Sequence, residues 1–323
     1  MKKNSTFMLF YWAMTVGVMV SLSSNNWLSI WMGVEISLMS FLPLISTSGV
    51  LNSEATMKYF IIQSISSSLL IMSILMMMMN KNNFNLIIYM SLMIKMGVAP
   101  FHNWVISMID GLSMMSTLFL LTLIKIPSMI MISYLLVKSY LMIISTIIVG
   151  SILGLNQNSI RKLIAYSSIF NMGFIISCLE NNILWIEFFM IYSIMVTILI
   201  LILMNNNINY LNQLMINDLN LLTKMIIWMN MLSMGGMPPL MGFINKFMVI
   251  EFLIQMKNTM VISLMVISSL MVMSYYMRMT YLSFMLSSIM IKWNIYLSMK
   301  SSFIYLVIML ITSPMLMTFK CLV

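Results

Sequence analysis

The stretch LMIKMGVAPFHNWV, residues 92–105, places a lysine, a glycine and a proline inside one long apolar run. A second run, GGMPPLMGFINKF at residues 235–247, has the same ingredients: a glycine pair, a proline pair and a lysine. Proline removes a backbone donor and clashes with the preceding turn, so each run predicts a helix that breaks. Both runs are apolar enough to lie in a bilayer. We therefore expect the two breaks at mid-membrane depth, where the freed backbone groups need polar partners.

The whole chain has the composition of a membrane protein. Of its 323 residues, 62% are hydrophobic and 7% are charged, with a mean hydropathy of +1.03, whereas a soluble domain carries about 25% charged residues. The N-terminus has the basic start of a signal peptide without an evident small-residue cleavage site, and we interpret it as the first span. The whole chain has 46 methionines, which replace leucine in apolar runs, so copper binding is not favoured.

The apolar runs are numerous enough to predict the fold class. A helix needs about 20 apolar residues to cross a bilayer, and the sequence has eleven candidate spans, the fourth and ninth of which carry the breaks. The predicted bounds are 7–24, 26–46, 57–79, 84–108, 114–133, 139–155, 162–179, 183–204, 221–254, 259–281 and 302–320. The prediction is an all-α polytopic membrane protein of about 11 transmembrane helices, with residues 1–323 forming a single transmembrane domain.

The order of the spans contains an internal repeat. Residues 1–133 and 139–281 each hold five spans with a broken helix in fourth place, and 302–320 adds a C-terminal helix. Five is odd, so the second unit is inverted relative to the first. Inverted five-helix repeats with two broken helices are typical of transporters, whose ion sites lie at the breaks.

The basic residues predict the orientation. Thirteen of the 16 lysines and arginines are assigned to loops, span ends or the chain termini. Nine of these lie on the side of the N-terminus and the even-numbered loops, and four lie on the other side. The positive-inside rule then places the N-terminus on the cytoplasmic or matrix side and the C-terminus opposite. The net charge of +9 is thus a topology signal plus three buried lysines, and it does not call for a nucleic acid partner.

Four charged residues stand out deep inside apolar runs: Glu35, Lys95, Lys125 and Lys246. A charge at the bilayer centre costs roughly 2.5–3.5 kcal/mol on insertion scales, so a functional role is the default interpretation. In general, a lysine in water keeps its proton, burial favours release, and a nearby carboxylate favours retention. We predict a proton relay in which Glu35 pairs with Lys95, and in which Lys125 and Lys246 pass the proton onward. The alternative is a set of buried ion pairs that only hold helices together. This alternative is weaker, because one acid cannot pair with all three lysines.

His102 and Glu251 are weaker candidates for the same relay. His102 is the only histidine and follows the first break; it can titrate near neutral pH or serve as a helix cap. Glu251 lies about one turn past Lys246 and can pair with it or extend to the surface. Because the sequence has no Gly-rich phosphate loop, cysteine cluster or histidine pair, we expect no metal, haem, iron–sulfur or nucleotide site.

Five stretches carry a family resemblance, in order over roughly residues 25 to 255. They are WMGVEISLMSFLPLI, EATMKYFIIQSISSS, KMGVAPFHNWV, LNQNSIRKLIAYSSIFNMGF and GGMPPLMGFINKF. Together they resemble the NADH dehydrogenase subunit 2 family, antiporter-like subunits of mitochondrial respiratory complex I. Members of this family in animals have eleven spans, which agrees with the count above.

The resemblance implies a membrane-arm subunit of the proton-pumping NADH:ubiquinone oxidoreductase, a translocase of the respiratory electron transport chain in the mitochondrial inner membrane. By that resemblance Glu35 is the family's glutamate, Lys95 its partner, Lys125 the central relay and Lys246 the distal lysine. No cofactor is implied for this chain, since NADH, FMN, iron–sulfur clusters and ubiquinone belong to other subunits of the complex. The implied partners are other complex I subunits, especially antiporter-like subunit 4 and small membrane-arm subunits, and lipids such as cardiolipin.

Three residues depart from the family pattern. Asn171 stands where a histidine is frequent, Asn245 where proline is usual, and Glu251 where an uncharged residue is usual.

Two other function classes stay open at this point. A stand-alone cation/proton antiporter shares the broken helices and lysines, and a passive scaffold subunit of complex I would tolerate loss of the lysines.

Overall fold

The structure is a computed structural model of the 323-residue chain. It describes residues 5–46, 49–79, 84–135, 137, 139–216 and 221–285. The predicted eleventh span at 302–320 lies outside the described residues.

The described residues form helices, turns and one isolated β-bridge between Ser159 and Tyr210. The helices are α1 Ser5–Ser23, α2 Trp27–Ile45, α3 Val50–Met79, α4 Asn85–Met96, α5 Asn103–Ile109, α6 Met114–Leu121, α7 Lys125–Leu135, α8 Tyr140–Gly154, α9 Ile160–Ser177, α10 Asn182–Asn205, α11 Gln213–Ile216, α12 Leu221–Gly235, α13 Met241–Gln255 and α14 Thr259–Met285. The all-helical fold class is confirmed for this part of the chain.

Six stretches of the described chain are long and apolar enough to cross a membrane. They are Ser5–Ser23, Trp27–Ile45, Val50–Met79, Met114–Leu135, Asn182–Asn205 and Thr259–Tyr281. Two shorter helices, Asn85–Met96 and Tyr140–Gly154, are also apolar. The chain is therefore a multi-pass membrane protein by the length and composition of its helices.

The chain divides into two compact units, Met1–Thr146 and Ile147–Val323. In the first unit α1 and α2 cross closely, because a Cβ atom on Gly33 would lie 2.7 Å from the carbonyl oxygen of Gly17. Small residues at such a crossing let two backbones approach, as is common between membrane helices. The long helix α3 packs against α2, α4 and α5, and α7 packs against α4.

The predicted break at Pro100 is confirmed: α4 ends at Met96 and α5 begins at Asn103. Gly97 has a φ of 68°, and the amide of Val98 donates to the carbonyl of Met93 at 3.1 Å. This is a Schellman motif, in which a glycine in the left-handed region closes a helix C-terminus.

The predicted break at Pro238 and Pro239 is also confirmed, with the same ending. The helix α12 ends at Gly235, and α13 begins at Met241. Gly236 has a φ of 91°, and the amide of Met237 donates to the carbonyl of Leu232 at 3.1 Å. Each unit thus contains one half-helix that stops at a glycine just before proline.

The prediction of an unbroken fifth span is wrong. The sequence predicts one helix over 114–133, but the structure separates α6 from α7 by a turn at Thr122–Ile124. Two local causes act together. Pro127 has no N–H to offer to the carbonyl four residues earlier, and the Thr122 hydroxyl donates to Leu118 O at 2.8 Å. The amide of Ile124 instead reaches back five residues to Phe119 O at 3.2 Å, as in a π-type turn.

Candidate functional site

Lys95 and Glu35 form the ion pair that the sequence predicts. Lys95 lies in the last turn of α4 and Glu35 lies in the middle of α2. Their Nζ and Oε1 atoms are 4.0 Å apart, and the side chains are 4% and 20% exposed. At that separation the two atoms attract without a direct hydrogen bond. Neither atom has a hydrogen-bond partner among the described residues.

A small polar cavity adjoins Lys95. Its walls come from α2, α3, the end of α4 and the α6–α7 region, namely Val34, Ser37, Leu38, Tyr59, Gln63, Lys95, Ile124 and Ser128. Several of these side chains carry hydroxyl or amide groups, and a polar cavity is where buried water is held in proteins. The Gln63 amide also donates to the backbone carbonyl of Lys95 at 3.2 Å, so α3 fixes the end of α4.

Two other carbonyls near the first break have side-chain partners as well. The Trp104 indole donates to Ile94 O at 3.1 Å, and the Ser145 hydroxyl donates to Ala99 O at 3.0 Å. His102 is buried just before α5, with its Nδ1 3.2 Å from Pro100 O. His102 is thus the residue just before α5, but its side chain makes no capping hydrogen bond to that helix. Its part in a relay stays a prediction.

Lys125 is the first residue of α7 and is buried. It therefore stands directly at the unpredicted interruption of the fifth span. Its neighbours Ile124 and Ser128 line the Lys95 cavity, so the interruption brings the Lys125 segment to the same place as the ion pair. The Ser128 hydroxyl donates to Lys125 O at 2.9 Å.

Lys246 in the second unit reaches across the second break. Its Nζ donates to Gly235 O at 2.7 Å and to Met234 O at 3.2 Å, and it lies 5.3 Å from the centre of the Phe170 ring. The carbonyls at a helix C-terminus carry partial negative charge, which favours a cation there. The ammonium thus binds the end of α12 and an aromatic face.

Glu251 is not among these contacts of Lys246. It lies on α13 and is half-buried. Its pairing with Lys246 stays a prediction.

A second small cavity adjoins Lys246. It is lined by Asn171, Phe188, Tyr192, Met195, Met234, Gly242, Asn245 and Lys246. The Asn245 amide donates to Phe188 O at 3.2 Å, and the Asn230 amide donates to Met195 O at 3.1 Å, tying α13 and α12 to α10. The asparagine at 245 thus anchors the helix that carries Lys246.

Sequence reasoning missed several polar residues of these sites. Gln63, Asn230 and Tyr192 were not predicted as site residues. A single amide or hydroxyl in an apolar run is a weak signal in sequence, because serine, threonine and tyrosine are common in membrane helices. What marks Gln63 and Tyr192 here is burial combined with a position in the wall of a lysine cavity. Asn230 is marked by its burial and its hydrogen bond to another helix.

The two sites share a chemical plan. In each unit an ammonium group lies at the C-terminal end of a half-helix, next to a glycine–proline break and a small polar cavity. Such a group can hold a proton in a water-poor place and exchange it with water in the cavity. The fold and the sites therefore define a polytopic membrane protein of the antiporter-like class.

Comparison with known proteins places the chain in that class. The family model for the transmembrane region of NADH:quinone oxidoreductases and Mrp antiporters matches residues 24–87 and 80–274, and the chain belongs to this family. It is 38% identical over 282 residues to NADH-ubiquinone oxidoreductase chain 2 of Anopheles gambiae, with 82% of each chain covered. It is 35% identical over 281 residues to the chain of the same name from Locusta migratoria, again with 82% of each covered.

Solved structures show the same fold. A chain of respiratory complex I from Thermus thermophilus with bound aureothin superposes with a TM-score of 0.82, at 19% identity, covering 88% of this chain and 72% of that one. A chain of the Mrp complex from a Dietzia species gives a TM-score of 0.75 at 16% identity, covering 84% of this chain and 59% of that one. At these identities the likeness concerns the fold alone.

Proposed function

We propose that this chain is an antiporter-like subunit of the membrane arm of NADH:ubiquinone oxidoreductase, complex I, in the mitochondrial inner membrane. One structural observation carries the mechanistic part of the proposal: a buried lysine lies 4.0 Å from a half-buried glutamate, beside a polar cavity and a helix break. The relatives named NADH-ubiquinone oxidoreductase chain 2, which match over 82% of this chain, supply the identity of the complex.

The mechanism is a proton relay. The carboxylate of Glu35 attracts the ammonium of Lys95 and favours its charged form, whereas burial disfavours it. When the pair separates, the balance shifts toward release of the proton into the cavity beside Lys95. Lys125, at the start of α7, is the next acceptor, and Lys246 is the distal lysine. His102 and Glu251 are subsidiary members at the first and second breaks.

The chain does no redox chemistry in this proposal. NADH oxidation and quinone reduction occur in other subunits, which hold FMN, the iron–sulfur clusters and ubiquinone. This chain converts the free energy of those reactions into proton or charge movement. Its enzymatic class is therefore that of the complex, an NADH:ubiquinone reductase that translocates protons.

The finer architecture is part of the same proposal. We assign eleven spans, with five-helix repeats at 1–133 and 139–281 and an additional helix at 302–320. The N-terminus lies on the matrix side and the C-terminus on the intermembrane-space side, as the basic residues suggest. The neighbours are other complex I subunits, with antiporter-like subunit 4 and small membrane-arm subunits in direct contact and cardiolipin at the lipid boundary.

Two other functions are less well supported. A stand-alone cation/proton antiporter would share this fold, as the similarity to a chain of the Mrp complex illustrates. The named relatives nevertheless match over four fifths of their own length and favour a complex I subunit. A passive scaffold would not need a glutamate–lysine pair beside a polar cavity, because burying charges costs free energy without a function.

The test uses the assembled complex in liposomes, with proton pumping measured during NADH oxidation. Lys95→Met keeps the length of the side chain and removes the charge, so we expect normal assembly with less pumping and less coupled turnover. Lys58→Met is the matched control, because Lys58 is exposed and pairs with Glu54 on the surface of α3. Full pumping by an assembled Lys95→Met complex would rule out the relay and favour the scaffold.

A further inference from the structure

Three tyrosine hydroxyls are buried together in the second unit. Tyr192 on α10 and Tyr275 and Tyr276 on α14 are 0%, 1% and 0% exposed. None of the three hydroxyls makes a hydrogen bond of normal length and angle with a described residue, although the Ser168 and Ser167 hydroxyls interact with those of Tyr192 and Tyr276. Buried polar groups are bonded to protein or to ordered water in the great majority of cases. A cluster of three buried hydroxyls that make no such bond is therefore a place where water is expected.

The three hydroxyls belong to one cluster. The rings of Tyr275 and Tyr276 are 4.7 Å apart between centres. The hydroxyl of Tyr192 is close enough to that of Tyr276 to interact with it electrostatically. The hydroxyl of Tyr275 interacts in the same way with both.

Two serines of α9 complete the cluster. Ser168 is beside Tyr192 and Ser167 is beside Tyr276. The serine hydroxyls donate to their own helix, to Ala165 O at 2.6 Å and Ile164 O at 2.8 Å. Their oxygens therefore face the tyrosines as acceptors. A water in this position would have the two to four polar partners that buried water needs.

The cluster adjoins the Lys246 cavity on one side. Tyr192 belongs to both, since it lines that cavity together with Asn171, Asn245 and Lys246. Asn171 is one helical turn from Ser168 on α9, about 4.5 Å along the axis. Polar side chains thus continue from the Lys246 cavity into the tyrosine cluster.

On its other side the cluster comes close to the loop between α8 and α9. Tyr275 packs against Gly154, the last residue of α8. A Cβ atom added to Gly154 would lie 3.0 Å from Cε1 of Tyr275. Arg278, two residues beyond Tyr276, donates from Nη2 to Gln157 O in that loop at 2.8 Å. The cluster therefore lies between the Lys246 cavity and this end of the second unit.

We propose that Tyr192, Tyr275 and Tyr276 bind ordered water and that this hydrated cluster is a proton path between Lys246 and the α8–α9 end of the second unit. The ammonium of Lys246 gives one proton to water and becomes a neutral amine. Each oxygen along the path accepts one proton as it releases another. Every hydroxyl ends neutral, and one proton has moved. The path rests on the proposed function, whereas the water site does not.

The water site is tested by high-resolution electron microscopy of the assembled complex. We expect density for at least one water within ~3 Å of two or more of the three hydroxyl oxygens. Direct hydrogen bonds between the tyrosines, or a side chain or lipid from elsewhere filling the space, would overturn the site. This result does not depend on whether the chain pumps protons.

The path is tested with the double variant Tyr192→Phe/Tyr276→Phe, which keeps both rings and removes two hydroxyls. In the assembled complex we expect several-fold slower proton pumping with a larger solvent deuterium isotope effect. Tyr281→Phe is the control, because Tyr281 is exposed on the same helix. If the double variant pumps normally while Lys95→Met does not, the path is wrong and the proposed function stands. If both pump normally, the proposed function itself fails.

Discussion

The Nζ atom of Lys246 donates a 2.7 Å hydrogen bond to the carbonyl oxygen of Gly235, the last residue of α12. A carbonyl at a helix end lacks an intrahelical donor, and in a membrane it needs another one. The ammonium supplies it from the following half-helix. The break and the buried charge therefore stabilise each other, which explains why a lysine is tolerated among apolar residues.

Gly236→Ala should disturb this contact. Gly236 has a φ of 91°, and an added Cβ would lie 3.1 Å from the Cδ and Nζ atoms of Lys246. The left-handed region costs an ordinary residue roughly 1–2 kcal/mol, and the lysine must shift away as well. We expect lower proton pumping by the assembled complex, measured in liposomes during NADH oxidation.

The matched control is Gly49→Ala, where the nearest atom to an added Cβ is 3.5 Å away. It should assemble and pump as the unaltered complex does. Equal pumping by the two alanine variants would mean that the position of Lys246 is not held by this turn.

Lys246→Met removes the donor and leaves the carbonyls of Met234 and Gly235 without it. We expect loss of pumping together with lower thermal stability of the complex, since an unsatisfied buried acceptor costs about 1–3 kcal/mol. Lys257→Met is the comparison, because Lys257 is exposed in the turn after α13. A stability loss with undiminished pumping would assign Lys246 a structural part alone.

Glu35→Gln should lower the proton affinity of Lys95, since it removes the attractive charge 4.0 Å away. An opposite charge at such a distance favours the protonated lysine by on the order of 1–4 kcal/mol. The expected outcome is a changed pH dependence of coupled turnover, measured on both sides of neutral pH.

The control for this change is Glu54→Gln, which removes a carboxylate from an exposed pair with Lys58. Surface pairs contribute little, so the pH profile should not move. An unchanged profile in Glu35→Gln as well would show that Glu35 does not govern the proton on Lys95.

Gln63→Leu tests how α3 supports the first site. The Gln63 amide is the donor to Lys95 O at 3.2 Å, and its loss leaves that carbonyl beside an apolar side chain. We expect a loss of stability of about 1–3 kcal/mol and reduced pumping. Ser68→Ala on the same helix is the control, because the exposed Ser68 hydroxyl bonds only to Ile65 O in its own helix. A Gln63→Leu complex as stable and active as this control would remove Gln63 from the site.

Much of the fold could be predicted because its causes are local. The breaks at Pro100 and at Pro238 and Pro239 follow from prolines next to glycines, and the structure places both breaks there. The break before Lys125 was missed, because it depends on the hydroxyl of Thr122 and on Pro127 without any glycine. One proline within a helix does not by itself indicate which turn will open.

The sequence by itself determined the membrane class, the helical content, the two glycine–proline breaks and the buried charges, since each depends on residues within a few positions of one another. Tertiary structure alone decided which groups meet. Gln63 reaches a carbonyl 32 residues away and Asn245 one 57 residues away. The two cavities and the tyrosine cluster likewise form only where several helices pack. The physical reason is that an apolar run specifies burial on any side, whereas the partner of a buried polar group depends on which helix face turns toward it.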